Sequence, residues 1–537
     1  MQWLMKRWLI LGLSVLPLTA LADAQPADAG AGVAAAEPAP AATFSILEYQ
    51  IVGNTVLSNL AIEQAVYPHL GEKKSVTDVE QARQALEKAY HDAGYLTVLV
   101  DIPEQEVKSG LVRLKVTEAT VDRLKVSGSR YYSLGWIRQH TPALAEGSVP
   151  YFPDVQKQLT DLARTPDRQV VPVLRAGRAP GTVEVDLQVK DKLPLHGSLE
   201  ANNRYGANTT PGRLVGTLRY DNLWQRQHSL SLSYQVAPEK PQESNVLSAT
   251  YVIPGADGQA YALYAVRSRS NVAAVSGFTS LGMGNFYGLR WITPLRSRGE
   301  RYNHTLSLGV DYKNSLESVL GGADTANAIN TSITYVPYMI QYAGTLREGK
   351  ALTQFDIAAN FHLRGSRNND QDFANKRYLA SANYFYLRGD VQHTQPLGQW
   401  SVYTKMSGQV ASGPLISNEQ FSAGGADSVR GYLEAEALGD DGVQGTLELH
   451  TPSLFNPATS GLGQVYALAF MDGAWLSVMS PLPSQQSVFL LSSAGLGLRV
   501  QGFKGFQFGL DWARPFKSLT YTQADSSRIH ARLLYEF

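Results

Sequence analysis

Beyond Pro194 the chain alternates apolar and polar residues with a period of two. Leu230, Leu232, Tyr234 and Val236 interleave with Ser229, Ser231, Ser233 and Gln235; Leu214, Gly216, Leu218 and Tyr220 interleave with Arg213, Val215, Thr217, Arg219 and Asp221. Successive strand side chains point to opposite faces, so each run has one apolar and one polar face. The same texture recurs from Thr305 to Tyr312, Phe355 to Leu363, Ser401 to Val410, Gly445 to Leu449 and Gln507 to Trp512, with Gly, Asn, Asp and Pro clusters between. It reaches the C-terminus, where Ala531, Leu533, Tyr535 and Phe537 face one way and His530, Arg532 and Glu536 the other. Roughly 340 residues of such strands without a helical stretch exceed one soluble sandwich and suit a transmembrane antiparallel β-barrel of roughly sixteen strands.

Between Phe44 and Val189 the pattern differs. Phe44 to Val52 reads as a strand ended by Gly53-Asn54, and Leu60, Ile62, Ala65 and Val66 after Ser58 predict a short helix. Thr77 and Glu80 fit a capping box ahead of Val79, Ala82, Leu86, Ala89 and Ala93 at helical spacing, and Gly94 is the stop. Strands follow from Tyr95 to Ile102 and Leu111 to Glu118, placed to pair as neighbours. The β-α-α-β-β order then repeats: a strand from Val121 to Val126 closed by Gly128, helices from Leu134 to Leu144 and Val155 to Ala163, and strands from Gln169 to Leu174 and Thr182 to Val189. The expected organisation is two small α+β domains, 44–118 and 119–192, before a barrel over 193–537.

Ahead of them, Lys6 and Arg7 precede an apolar run from Leu9 to Leu18 and the small-x-small pattern Ala20-Leu21-Ala22. The apolar core of about 10 residues is half of what a membrane helix needs, so 1–22 reads as a secretory signal peptide cut after Ala22. Residues 23–43, mostly Ala, Pro, Gly and Asp, have little to bury and read as a flexible linker. The 47 basic residues balance the 47 acidic ones, which argues against a nucleic-acid partner. Absence of cysteine removes disulfides, thiolate metal sites and a cysteine nucleophile.

Candidate chemistry concentrates in Phe421-Ser-Ala-Gly-Gly-Ala-Asp-Ser-Val-Arg-Gly-Tyr432. Gly424, Gly425 and Gly431 permit backbone angles closed to other residues, so the stretch folds into a tight loop presenting Arg430 between Val429 and Tyr432. A guanidinium is a permanent charge with a planar fork of donors, suited to a fixed carboxylate. Asp472, on a strand where it shares a face with Phe470 and Ala474, is the natural acceptor. In a wet lumen such a fork is worth about 1 to 3 kcal/mol.

Two families come into view on these residues. The β-α-α-β-β repeats, with Val52-Gly53-Asn54 and Val126-Ser127-Gly128 ending their first strands, resemble the polypeptide-transport-associated (POTRA) domain. The glycine loop ending in Val429-Arg430-Gly431-Tyr432, with Phe470-x-Asp472, resembles the outer-membrane transporters of two-partner secretion, the TpsB family, of the same superfamily as the outer-membrane barrel assembly proteins. The resemblance implies that the loop near 421–445 folds into the lumen as a gating or transport element, and that Arg430 meets Asp472. It also implies that Phe537 is an assembly signal. It further implies an outer-membrane location in a Gram-negative bacterium, with the POTRA domains in the periplasm. The implied partners are a secreted exoprotein of adhesin or haemolysin type, outer-membrane lipid and, during biogenesis, the barrel-assembly machinery. The sequence departs from the family in carrying Ala474 where a glycine is expected, with Gly473 beside it as a source of room. The linker has no amphipathic pattern for the pore-plugging helix that some relatives carry.

Catalytic readings find no support. Gly344 to Lys350 has the spacing of a phosphate loop, but Ala351 replaces the required hydroxyl and strands flank it, so it reads as a hairpin turn. No Gly-x-Ser-x-Gly or His-Glu-x-x-His is present, and no cofactor or metal motif. Trp224, Trp291, Trp400 and Trp512, near strand ends, read as interfacial anchors. The expected activity is recognition of a secreted protein in the periplasm and its passage, unfolded, through the barrel. The alternatives are a barrel-assembly insertase and a passive porin.

Overall fold

Alternation of period two over so much of the chain requires a sheet with two differently solvated faces, and a closed sheet meets that demand without leaving an edge. In a computed structural model the described residues are 43–537 except 108, 271, 276–277, 298, 300, 317–331, 457–459 and 462, together with the side chains of 272–275 and 278–281. The expected signal peptide, and the linker but for its last residue, lie outside the described residues. One compact unit ends at Leu193 and a second runs from Pro194 to Phe537.

In the first unit, strand Glu48–Val52 runs parallel to Leu111–Glu118, which pairs antiparallel with Val98–Asp101. Helices Asn59–Val66 and Val76–Asp92 bury Ile62, Val66, Val79, Leu86 and Tyr90 against Val98, Val112 and Leu114. The second copy repeats this with Thr120–Ser127 parallel to Thr182–Asp191, and Arg168–Ala176 antiparallel beside it. The glycines that end the first strands have a steric cause. Gly53 and Gly128 adopt φ of +96° and +87°, and a Cβ there would sit 2.3 and 2.5 Å from the carbonyl oxygens of Val116 and Val189 on the central strands.

Local boundaries differ from expectation in several places. The strand expected over Phe44 to Val52 is two, because Phe44–Ile46 leaves to pair with Gly71–Lys74. The strand expected from Tyr95 to Ile102 is limited to Val98–Asp101. The second helix is capped by Ser75 and Asp78, not Thr77 and Glu80. Asp78 accepts from the Ser75 N–H and hydroxyl at 2.8 Å each, while Glu80 is engaged further along the helix by Arg83 and Gln84. Finally, the helix expected from Leu134 to Leu144 stops at Gln139 and a short 3-10 turn, Pro142–Leu144, follows, since Pro142 cannot continue the hydrogen-bond ladder.

In the second unit sixteen long strands, from Leu195–Asn202 to Arg528–Glu536, each pair antiparallel with the next, and the last pairs with the first. Ile333–Tyr335 adds a short piece at the end of Tyr302–Ser315. Leu447, Leu449, Met471, Trp475, Leu496 and Trp512 are exposed on the outer face, while Asp311, Gln409, Asp472, Asp511 and His530 are buried on the inner one. An apolar exterior around a polar interior is the solvation pattern of a membrane barrel. Turns are short at one rim, as at Gly349-Lys350, to which the hairpin turn expected over Gly344 to Lys350 is reduced because Gly344 to Glu348 belong to strand Tyr338–Glu348, and long at the other, as over 362–384 and 412–440. One long connection holds a helix where none was expected, Asp370–Ala374. It is capped by Asn369 and Asp372, and its Phe373 is packed among Tyr335, Tyr384 and Leu415.

The glycine and aromatic content has a use in the wall. Gly288, Gly344 and Gly495 lie directly across from Tyr264, Phe355 and Phe470, whose rings occupy the space a Cβ would need. Phe537 does the same at the closing seam. Its backbone exchanges hydrogen bonds with Gly197 (N to O 3.0 Å, O from N 3.1 Å), and its ring Cζ lies 2.1 Å from where a Gly197 Cβ would be. Deleting Phe537 removes two hydrogen bonds and the ring contact, worth about 1 to 3 kcal/mol at the place where the barrel closes. The heat-modifiable fraction on a gel falls, and Gly197→Val lowers it with Phe537 still present; a Gly197→Val barrel that folds as well as the parent contradicts this account of the seam.

Candidate functional site

Between strands Trp400–Ala411 and Asp441–His450 the connection turns inward instead of staying at the rim. Phe421–Ala423 and Ala437–Gly439 pair as a small ribbon, and the residues between them form a tight knot. Gly424 and Gly425 adopt φ of +109° and +108°, and a Cβ on Gly424 would fall 2.5 Å from the Leu433 carbonyl oxygen. Gly425 N–H donates to the Val429 carbonyl (3.1 Å) and Gly424 N–H to Ser428 Oγ (2.9 Å), so the knot satisfies its own backbone. Gly431, at φ +95°, closes against Pro515.

Arg430 projects from this knot onto the wall. Its Nε and Nη2 donate to Asp472 Oδ2 and Oδ1 at 2.7 and 2.8 Å, and its backbone N–H to Oδ2 at 3.1 Å. A second carboxylate, Glu448, meets Nη1 at 2.7 Å and is itself bonded to His450 Nε2 at 2.7 Å. The guanidinium carbon lies 3.5 Å from the centre of the Phe470 ring, which rests over Gly495, so the cation is stacked as well as forked. Burial alone would lower the arginine's pKa, but Asp472, Glu448 and Asp511 outweigh it and hold it above its ordinary value. A wet lumen is not what surrounds this pair: Arg430 is 3% exposed and Asp472 2%.

The neighbours of Arg430 are held as firmly. Val429 and Tyr432 have no exposed surface and pack with Phe421, Ala474, Leu476 and Leu491. Tyr432 donates its hydroxyl to the carbonyl of Lys517 (2.8 Å), with the Ser492 carbonyl 3.2 Å away. Gly431 N–H donates to His530 Nε2 (2.9 Å), and Arg528 Nε donates to the Gly431 carbonyl (3.2 Å). The loop therefore touches strands Gln464–Ser477, Val488–Phe503, Phe506–Pro515 and Arg528–Glu536. Ala474 fills this cluster, whereas Gly473 falls on the other face of its strand and supplies no room to the Asp472 side.

Gly424, Gly425, Val429, Arg430, Gly431 and Tyr432 are thus brought together with Phe470 and Asp472, and Phe537 lies apart at the seam. Glu448, His530 and Arg528 were not singled out from sequence. Glu448 sits between the outward Leu447 and Leu449, and the alternation that put His530 on the inner face was legible too. What was missing was their nearness to the loop.

A family model described as haemolysin secretion/activation protein ShlB/FhaC/HecB matches residues 181–500, and a POTRA domain model, ShlB-type, matches 44–119. The outer membrane transporter CdiB of Dickeya dadantii is 22% identical over 457 residues, which cover 81% of this chain and 76% of that protein. Among solved structures, CdiB from Escherichia coli superposes with a TM-score of 0.59 at 18% identity, covering 93% of this chain and 91% of that one. BamA from Haemophilus ducreyi lacking POTRA domains 1–3 superposes at 0.56 and 16% identity, covering 92% and 100%.

Glu434 gives the site a pH dependence. Its carboxyl, closed in by Gly425 and Ala426 although the residue keeps some surface, is pushed up to about 7, chiefly by burial and with a contribution from Asp427. A carboxyl whose folded pKa is raised favours the protonated form, so the contribution of Glu434 to the loop's packing is fully present below the ordinary value of 4.5 and is lost as pH rises through about 7. Protease accessibility of the loop in the purified barrel rises between about pH 5 and about pH 8. In Glu434→Gln the rise is absent; an unchanged rise in that variant contradicts the assignment.

Proposed function

The chain belongs to the haemolysin secretion/activation family ShlB/FhaC/HecB, and on that footing we propose how this outer-membrane transporter of two-partner secretion takes up and passes its partner. Residues 44–118 and 119–192 act as two POTRA domains in the periplasm, after removal of 1–22, and receive a large exoprotein of adhesin or haemolysin type. The barrel of 193–537 passes that protein unfolded to the cell surface, and folding outside supplies the direction. The apolar outer wall is in contact with lipid, and Phe537 is read by the barrel-assembly machinery. The observation that carries this reading is the loop locked into the barrel by Arg430, a buried, multiply anchored segment standing where a client has to pass. In the export cycle the Val429–Tyr432 tip is the part that yields, since a chain cannot pass a lumen it occupies.

Client recognition fits strand addition to a POTRA sheet edge, because an unfolded client offers backbone groups whatever its sequence. The outer edge of Val98–Asp101 is already engaged by helix Val76–Asp92: Arg83 Nη1 donates to the Val100 carbonyl (3.1 Å), Glu87 Oε2 accepts from Val100 N–H (3.1 Å), and His91 Nε2 lies 3.1 Å from the Val98 carbonyl. A client strand on this edge displaces three side chains, which favours release and a dissociation constant on the order of micromolar. Titrating a fragment spanning 23–192 with the N-terminal part of the partner shifts amide signals of 98–101 and 76–92; unchanged spectra at millimolar partner remove the receptor role.

The likeness to BamA supports a second reading, an insertase of other barrels. Co-expression with the partner separates the two, since a transporter releases the partner to the medium and its loss leaves other outer-membrane barrels at normal levels. Removing Arg430 alone strands Asp472 without its charge partner at a cost of about 3 to 5 kcal/mol, which a large barrel tolerates. Arg430→Ala therefore keeps heat-modifiable migration while export falls, and Arg430→Lys, lacking the planar fork, restores only part of it. Arg430→Ala combined with Asp472→Ala loses less than the sum of the single losses; additive losses mean the two residues act separately.

A further inference from the structure

The inward loop carries an acid on each of its stems, and both acids are buried. Glu419, on the entering stem, is 2% exposed and accepts from Lys313 Nζ (2.7 Å), Tyr335 Oη (2.6 Å) and Tyr386 Oη (2.8 Å). Asp440, on the leaving stem, has no exposed surface. Arg377 clasps it with both terminal nitrogens (Nη2 to Oδ2 2.7 Å), and the N–H groups of Leu415 (2.9 Å) and Met479 (2.7 Å) and the Gln420 amide (3.2 Å) donate to it as well.

The bases come from elsewhere at the long-loop rim: Lys313 near the end of Tyr302–Ser315, and Arg377 just after the helix Asp370–Ala374. The two stems are also tied to each other. Gln409 donates through its amide nitrogen to the carbonyls of Glu419 (3.2 Å) and Asp440 (2.9 Å), and its oxygen accepts from Arg388 (2.8 Å). Among the described residues no hydrogen bond or ion pair joins these groups to Asp472 or the tip, and the ribbon Phe421–Ala423 with Ala437–Gly439 lies along the chain between them and the knot. A carboxylate this buried needs a counter-ion as well as its neutral donors, so withdrawing Lys313 or Arg377 leaves an uncompensated charge that is relieved when the stem moves toward water.

We propose that Glu419 and Asp440 are positioning residues for the transport loop, and that their clamps to Lys313 and Arg377 set where the Val429–Tyr432 tip lies, so that opening a clamp at the long-loop rim frees the tip from Asp472. The clamp links the outer loops to the lumen. A polypeptide emerging among those loops competes for Arg377 and Lys313 through its own carboxylates and carbonyls, a consequence that rests on the export reading above.

The test needs no exported partner. The chain has no cysteine, so Ala426→Cys near the tip and Gln399→Cys in an exposed short turn give a unique pair of spin labels in the purified barrel. Their distance distribution is narrow in the parent, and Arg430→Ala, the control for a freed tip, broadens and shifts it. Arg377→Gln, Asp440→Asn and Glu419→Gln shift it in the same direction while migration remains heat-modifiable. The paired variant Lys313→Met with Glu419→Gln leaves no orphan charge, so it folds even where a single change does not, and it shifts the distribution too. Parent-like distances in that paired variant, or in Asp440→Asn, with Arg430→Ala shifted, overturn the proposal. Loss of export without any change of distance leaves the transport reading standing and removes the clamp.

Discussion

One guanidinium shared between two carboxylates at a buried site inside the barrel is the constraint on which the rest of the barrel's interior depends. Arg430 keeps its proton, and leaving Asp472 without its cation at this burial costs about 3 to 5 kcal/mol, so the loop and the wall carboxylates hold each other in place. Everything around them serves that meeting. Gly424, Gly425 and Gly431 bend the loop to bring the arginine down, and Phe470, flat over Gly495, gives its plane a surface to lie on. Tyr432 and His530 hold the flanking backbone so that the fork arrives at a fixed angle. Such a site is poised rather than permanent, because the cost of separating the charges falls once water or another chain can replace the lost contacts.

How much was legible from sequence follows from the range of the forces involved. Alternation is local, so the strands, the inward face of Asp472 and the outward face of Met471 could be read directly. The loop knot was legible because three glycines at such spacing have few other uses. The first domains were recovered as a repeat, and their strand-ending Gly53 and Gly128 acquire a reason only in three dimensions, from the carbonyls of Val116 and Val189. The capping box was misplaced by two residues because Ser75-x-x-Asp78 and Thr77-x-x-Glu80 satisfy the same local rule, and only the later partners of Glu80 decide between them. Glu448 at the tip and Glu419 and Asp440 at the stems depend on contacts across the barrel, on which local pattern is silent. The expectation that a wet lumen surrounds Arg430 and Asp472 failed for the same reason: the density of packing around Val429 and Tyr432 is a tertiary fact.

The tip and the stems together make the loop a single mechanical element. Its far end is fixed to five wall strands, and its near ends are fixed by buried acids to Lys313 on strand Tyr302–Ser315 and to Arg377 in a long connection at the rim, with a two-stranded ribbon between. Charges appear only at the two ends, whereas the middle is held by backbone pairing and small apolar contacts. That division suits a part that must move as a unit, since ionic contacts can be exchanged for those of a passing chain while the ribbon keeps its shape. The outer wall, by contrast, is predominantly apolar, and the glycine-aromatic pairs fill both faces of the sheet, Tyr264 and Phe470 inward and Phe355 and Phe537 outward.

The central claim, that a client passes through the lumen beside the displaced loop, is tested most directly by crosslinking an arrested client. A photoreactive amino acid placed at the inward positions Tyr403 or Tyr466 in the transporter, with a partner stalled by a folded domain at its end, reports what lies inside the barrel during transport. The account predicts crosslinks to the client from these positions and none from the outward Met471 or Leu496. Crosslinks from the outward positions alone contradict it.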